Sequence, residues 1–189
     1  MRHKYDTRGI VFGRTSAGET NALVSILTKE FGLVRARAQG LRRPGAKLAS
    51  ALTTLSESDI ALVRGKEGWR LTGAVQVRPW FRELPDADAR ERAGRVMALI
   101  ARLVAGEAPE EALYPVYLAY LEALARAPIG ARDSAEVLAA LYVLAALGLD
   151  DLPIPTPPML FADDVLARAA KDRSGYVARV NRGIAASGL

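Results

Sequence analysis

Arg35 and Arg37 stand two residues apart in the run Leu33 to Gln39. On an extended strand their guanidinium groups leave one face about 6.7 Å apart, comparable to the phosphate repeat of a partly extended single nucleic-acid strand. Arg42, Arg43 and Lys47 follow in the stretch Gly40-Leu41-Arg42-Arg43-Pro44-Gly45-Ala46-Lys47, too rich in Gly and Pro for helix or sheet. Arginine suits phosphate because its planar fork can donate two parallel hydrogen bonds to one anion. Arg64, Lys66 and Arg70 flank a second turn, and either extend the same surface or face the opposite side. The alternative for the Arg35–Arg37 face is a solvated strand edge, guarded by charge against edge-to-edge pairing.

Other chemistries have little to work with. The chain has no cysteine and one histidine, so thiolate metal sites, disulfides and cysteine nucleophiles are excluded, and a histidine triad has only His3 to use. No glycine–lysine P-loop is present. The acidic pairs Asp150-Asp151 and Asp163-Asp164 offer the carboxylates a metal-dependent nuclease uses. Adjacent side chains diverge, however, and each pair sits beside a helix end where capping or solvation accounts for it. The expectation is a protein that is not an enzyme and carries no metal or cofactor.

Charge is polarised along the chain. Residues 1–80 carry 14 Lys/Arg against 6 Asp/Glu, residues 81–167 carry 7 against 14, and residues 168–189 carry 5 against 1. The overall +5 therefore conceals a basic head, an acidic middle and a basic tail. Such a distribution steers a polyanion toward one end of a molecule. No apolar run approaches the roughly 18 residues of a spanning helix, and Met1-Arg2-His3-Lys4 lacks a signal core, so a soluble cytoplasmic protein is expected.

The elements that must hold these residues follow from periodicity. Short apolar runs broken by Gly13, Gly18 and Gly32 suggest strands near 7–14, 21–28 and 33–39. Val34, Ala36 and Ala38 share the face opposite Arg35 and Arg37. Two further runs, near 56–64 and 69–77, are joined by the turn Gly65-Lys66-Glu67-Gly68. Alternation in the last places Trp69, Leu71, Val75 and Val77 together. After Pro79 the period becomes helical: a helix over 86–105, another from about Pro109 with Pro115 as a kink or a restart, and a third opening at an Asp133-x-x-Glu136 capping box. An extended connector spans 150–158, and helical patterns follow over 163–171 and 174–186. Tyr114, Tyr117 and Tyr120 read as a helix-packing stripe. The fold class is α+β, a five-stranded barrel over 1–80 followed by an all-helical domain over 81–189.

The ordered set GIV…R…GE…LVSILT-x-E-x-G-x-V-R-x-x-A-x-G-x-R-R, continuing through Leu55-Ser56-Glu57 and the 62–69 strand–turn–strand, resembles the opening of the RecO family of bacterial recombination mediators. The resemblance covers about the first 80 residues well and the rest in outline. Asn21 stands where that pattern has an acidic residue. The resemblance implies an OB-fold for the first domain. It also implies binding of single- and double-stranded DNA, annealing of complementary strands, and loading of RecA together with RecR. The helical domain would receive the acidic, hydrophobic tail of single-strand-binding protein. Candidate residues for that tail are Arg126 and Arg132, which bracket the Ala127-Pro128-Ile129-Gly130 link. Larger members of the family often carry four zinc-binding cysteines, so this chain reads as a short form without zinc. An OB-type module for structured RNA is the alternative binding function, and a metal-dependent nuclease the alternative from another class.

Overall fold

The structure, a computed structural model, describes residues 3–17, 19, 21–39, 48–104, 110–157 and 159–188. Its strands are β1 (Lys4–Ser16), β2 (Ala22–Thr28), β3 (Gly32–Ala38), β4 (Ser56–Gly65) and β5 (Gly68–Pro79). Helices follow as α1 (Trp80–Glu83), α2 (Ala87–Leu103), α3 (Leu113–Arg126), α4 (Ile129–Ala146), α5 (Asp163–Lys171) and α6 (Arg173–Ala186), with a 3-10 turn at Met159–Phe161. The chain divides into two compact units, Met1–Glu83 with Gly106–Tyr114, and Leu84–Ala105 with Pro115–Leu189.

The strands close a barrel in the order β1-β2-β3-β5-β4, with β4 returning to β1. Every pairing is antiparallel except β3 with β5. This is the five-stranded OB arrangement that the first 80 residues suggested. Val11, Val24, Ile26, Val34, Ala36, Ile60, Leu62 and Leu71 fill the interior, with Leu52 added from the turns before β4. At Gly9 the strands approach so closely that a Cβ would lie 2.6 Å from Ile26 Cγ2 and 3.1 Å from the Leu27 carbonyl, so glycine is required there.

Strand β5 departs from simple alternation. Its ladder with β4 slips between Leu71 and Gly73 and again between Gln76 and Arg78, leaving Thr72 and Val77 as extra residues. An inserted residue reverses which side chains face inward. Ala74 consequently packs on the core, while Val75 is 68% exposed and Val77 38%. The expected shared face of Trp69, Leu71, Val75 and Val77 therefore ends at Leu71.

In the second unit, α4 packs against α2, α5 and α6. Helix α4 starts four residues earlier than the capping-box reading, at Ile129 after Pro128. Asp133 and Glu136 lie inside it and serve other partners: Asp133 accepts from Arg173 Nε at 2.5 Å, and Glu136 binds Arg92 at 2.6 Å and Arg95 at 2.5 Å. Helix α3 starts at Leu113, so Pro115 marks a helix start rather than a kink: it falls in the first turn, where a missing N–H costs no helical bond. Tyr114, Tyr117 and Tyr120 are all buried, as a packing stripe should be. None of the described helices is long and apolar enough to cross a membrane.

Three carboxylates tie this helical unit to acid. A hydrogen bond from the Ala89 N–H, joined by Arg132, holds Asp86 below its usual range. Hydrogen bonding from Arg173 lowers Asp133. At Asp150 burial works upward, but bonds from Arg179 and the Leu152 N–H outweigh it and the net shift is downward. Depressed folded-state values mean that the stabilisation is complete above the unfolded carboxylate value, about 3.9, and is lost as pH falls through the folded values. Helical circular dichroism followed in acid should therefore hold to about pH 4 and fall below it. Asp150→Asn should move that fall to lower pH while reducing stability at neutral pH. An acid limb identical in the variant would remove Asp150 from the account.

Candidate nucleic-acid interface

Five of the barrel's cations line one groove. Strand β3 turns Val34, Ala36 and Ala38 inward, each fully buried, which leaves Arg35 and Arg37 on the outer face. Its parallel pairing with β5 sets Arg37 beside Arg70 and Ala36 beside Trp69. The β4–β5 hairpin then brings Arg64 opposite Trp69, with Lys66 in the two-residue turn between Gly65 and Gly68. Gly68 adopts φ +96°, a conformation that favours glycine.

Around the resulting groove, of about 1010 Å³, stand Arg35, Arg37, Arg64, Lys66 and Arg70, together with Asn21, Gln39 and one carboxylate, Glu67. Arg37 Nη1 donates to Glu67 Oε2 at 2.9 Å. Arg64 places its guanidinium carbon 4.8 Å from the centre of the Trp69 ring. Trp69 is only 8% exposed and meets Tyr5 edge-on at 5.3 Å and Phe31 at 5.5 Å. Tyr5 and Phe31 are partly buried against the core and Trp69 is almost fully so, which leaves a groove wall rich in cations and poor in free aromatic surface.

Four of the seven expected nucleic-acid residues thus line one surface: Arg35, Arg37, Arg64 and Lys66. The remaining three, Arg42, Arg43 and Lys47, lie outside the described residues. Arg70, which the sequence left either extending this surface or facing the opposite side, extends it through the β3–β5 pairing. Gln39 lines it too, on the period-2 face it shares with Arg35 and Arg37. Asn21, at the mouth of β2, lines it with no such periodic signal.

The other expected sites separate. In the second unit a recess of about 660 Å³ is lined by Arg126, Ala127, Pro128, Gly130, Phe161 and Leu166, with Asp163 also on its wall. Arg126 borders it. Arg132 does not: its side chain is 5% exposed and donates to Asp86 at 2.8 Å and Asp88 at 3.3 Å, stitching α4 to the start of α2. A buried guanidinium engaged in this way is a structural cation rather than a rim for a peptide. Among the acidic pairs, Asp150 and Asp151 both accept from Arg179, at 2.5 and 2.7 Å. Asp164 pairs with Arg168 at 3.0 Å in the first turns of α5. No group of three or more His, Asp or Glu side chains converges on a metal position among the described residues.

Similarity to known proteins covers the barrel and extends beyond it. The family described as "Recombination protein O N terminal" matches residues 1–80, the whole barrel. A DNA repair protein RecO from Gloeobacter violaceus is 34% identical over 146 residues, 76% of this chain and 55% of that protein. A DNA repair protein RecO from Dehalococcoides mccartyi is 28% identical over 122 residues, 65% of this chain and 48% of the relative. The matched segments span about half the length of these relatives. Residues 1–80 of the chain thus belong to the family described as "Recombination protein O N terminal".

Proposed function

We propose that the chain is a non-enzymatic DNA repair and recombination mediator. In this reading it binds single- and double-stranded DNA along the barrel groove, anneals complementary strands, and works with RecR to assist RecA loading in the cytoplasm. The observation that carries the reading is the convergence of Arg35, Arg37, Arg64, Lys66 and Arg70 on one groove against the single carboxylate Glu67, among the described residues. Annealing needs no active site. Two strands repel through their phosphates, and a surface that neutralises phosphate while leaving bases outward lowers the barrier to pairing. The buried Trp69 cluster favours this division of labour, because a strand held by base stacking would have its pairing edges occupied or oriented by protein.

The helical unit supplies the partner side of the proposal. An acidic, hydrophobic tail such as that of single-strand-binding protein needs an apolar recess with a cation at its border. The recess beside Arg126 has that composition, although Asp163 opposes an acidic ligand there. The whole proposal is tested by annealing of complementary strands, bare or coated with single-strand-binding protein. Wild type should accelerate both reactions. Arg126→Glu should leave annealing of bare strands intact and slow annealing of coated strands several-fold. No acceleration of bare strands by wild type would overturn the DNA-mediator reading. Equal rates for wild type and Arg126→Glu on coated strands would remove only the tail site.

A further inference from the structure

The groove's one carboxylate among the described residues is placed where it competes with the ligand. Glu67 is the second residue of the Lys66-Glu67 turn, and it reaches 30 positions back in sequence to Arg37 on β3. The Arg37 side chain is 60% exposed and that of Glu67 80%. Burial therefore does not enforce the pair, and exposed pairs of this kind are weak and exchange readily. Carboxylate and phosphate oxygens accept from guanidinium N–H groups in the same geometry. A phosphodiester entering the groove at Arg37 meets a monoanion already in its place.

We propose that Glu67 is an internal phosphate mimic that sets how tightly, and for how long, a strand is held at Arg37. This rests on the groove being the DNA site. When a strand binds, one oxyanion replaces another on Arg37, so the gain there is smaller than at Arg35 or Arg70. The displaced carboxylate stays on the hairpin tip beside the bound backbone, repels it, and recaptures Arg37 as the strand leaves. For an annealing surface this is useful chemistry, because a strand must be neutralised and then surrendered once it has paired.

The substitution Glu67→Gln, on an exposed turn, removes the charge and keeps the shape. With a fluorescent single-stranded oligonucleotide across a salt series, it should tighten binding about two- to fivefold, mainly through slower dissociation. The slope of log K against log salt should steepen by about 0.7, the counterion equivalent of one phosphate contact on a single strand. In an Arg37→Ala background most of that gain should vanish, because the competed group is absent. Unchanged affinity in Glu67→Gln, or an equal gain with and without Arg37, would overturn the proposal. An Arg35→Ala, Arg70→Ala variant keeps the two failures apart. If it binds as wild type does, the groove is not the DNA site and both ideas fall. If it binds more weakly while Glu67→Gln remains neutral, only the mimic is lost.

Discussion

Alanine at Arg35, Arg37, Arg64, Lys66 and Arg70 together should weaken single-stranded DNA binding roughly a thousandfold at ~0.1 M salt, since four lost contacts at about 0.7 in log K each give about 2.8, Arg37 being largely offset by Glu67. The same arithmetic predicts a log K against log salt slope of about −2.8 from these groups in wild type, about −3.5 once Glu67→Gln frees Arg37, and a slope flattening toward zero in the alanine variant. Base stacking would not produce this signature, because its contribution is largely insensitive to salt. Arg64 lies over the Trp69 ring, so the variant needs a check of barrel integrity by near-ultraviolet circular dichroism. A folded variant with wild-type slope would move the DNA elsewhere, and a matched variant at Arg42, Arg43 and Lys47 would measure the share of that basic stretch.

Glu57→Ala should destabilise the barrel unit by about 3–4 kcal/mol, from two orphaned buried donors and the space left behind. Glu57 is 3% exposed on β4. One carboxylate oxygen accepts from Trp80 Nε1 at 3.0 Å and the other from the Tyr114 hydroxyl at 3.0 Å. The Tyr114 phenol is itself driven upward in pKa by burial and by the Glu57 carboxylate, so it stays a donor throughout the physiological range. Removing the acceptor strands both donors away from water, whereas Glu57→Gln keeps the volume and should cost less. Both tryptophans, Trp69 and Trp80, fall in the barrel unit, so urea unfolding followed by tryptophan fluorescence reports on it directly. A loss below about 1 kcal/mol for Glu57→Ala would show that solvent reaches these donors and that the bridge contributes little.

Much of this molecule was legible in local pattern. The alternation Val34-Arg35-Ala36-Arg37-Ala38 could place its apolar members inside only by placing its arginines outside, and the barrel did so. The 65–68 turn, the helical spacing after Pro79 and the buried tyrosines were equally available, because period and turn chemistry are local quantities. Local pattern misled where a local signal had a distant competitor. Asp133 and Glu136 have the spacing of a capping box, yet Arg173, Arg92 and Arg95 from other helices take their carboxylates, and the helix begins before them. Arg132 looked like a surface cation beside a loop, but Asp86 and Asp88, more than 40 residues away, draw it inside.

Sequence alone therefore determined that the chain offers a basic β-rich head, an acidic helical middle with a basic tail, no thiol chemistry and arginines paired on one strand face, because charge, composition and period 2 are written residue by residue. Tertiary structure decided which cations act together. Arg70 and the Arg64–Lys66 hairpin reach Arg35 and Arg37 only because β3 pairs in parallel with β5, joining segments about 33 residues apart through a ladder that nothing in either segment announces. The same closure set Glu67 on Arg37. The bulge at Thr72 in β5 turned Val75 out to solvent against its own alternation. In each case the deciding energy is a contact between distant segments, and such a contact exists only once the barrel has closed.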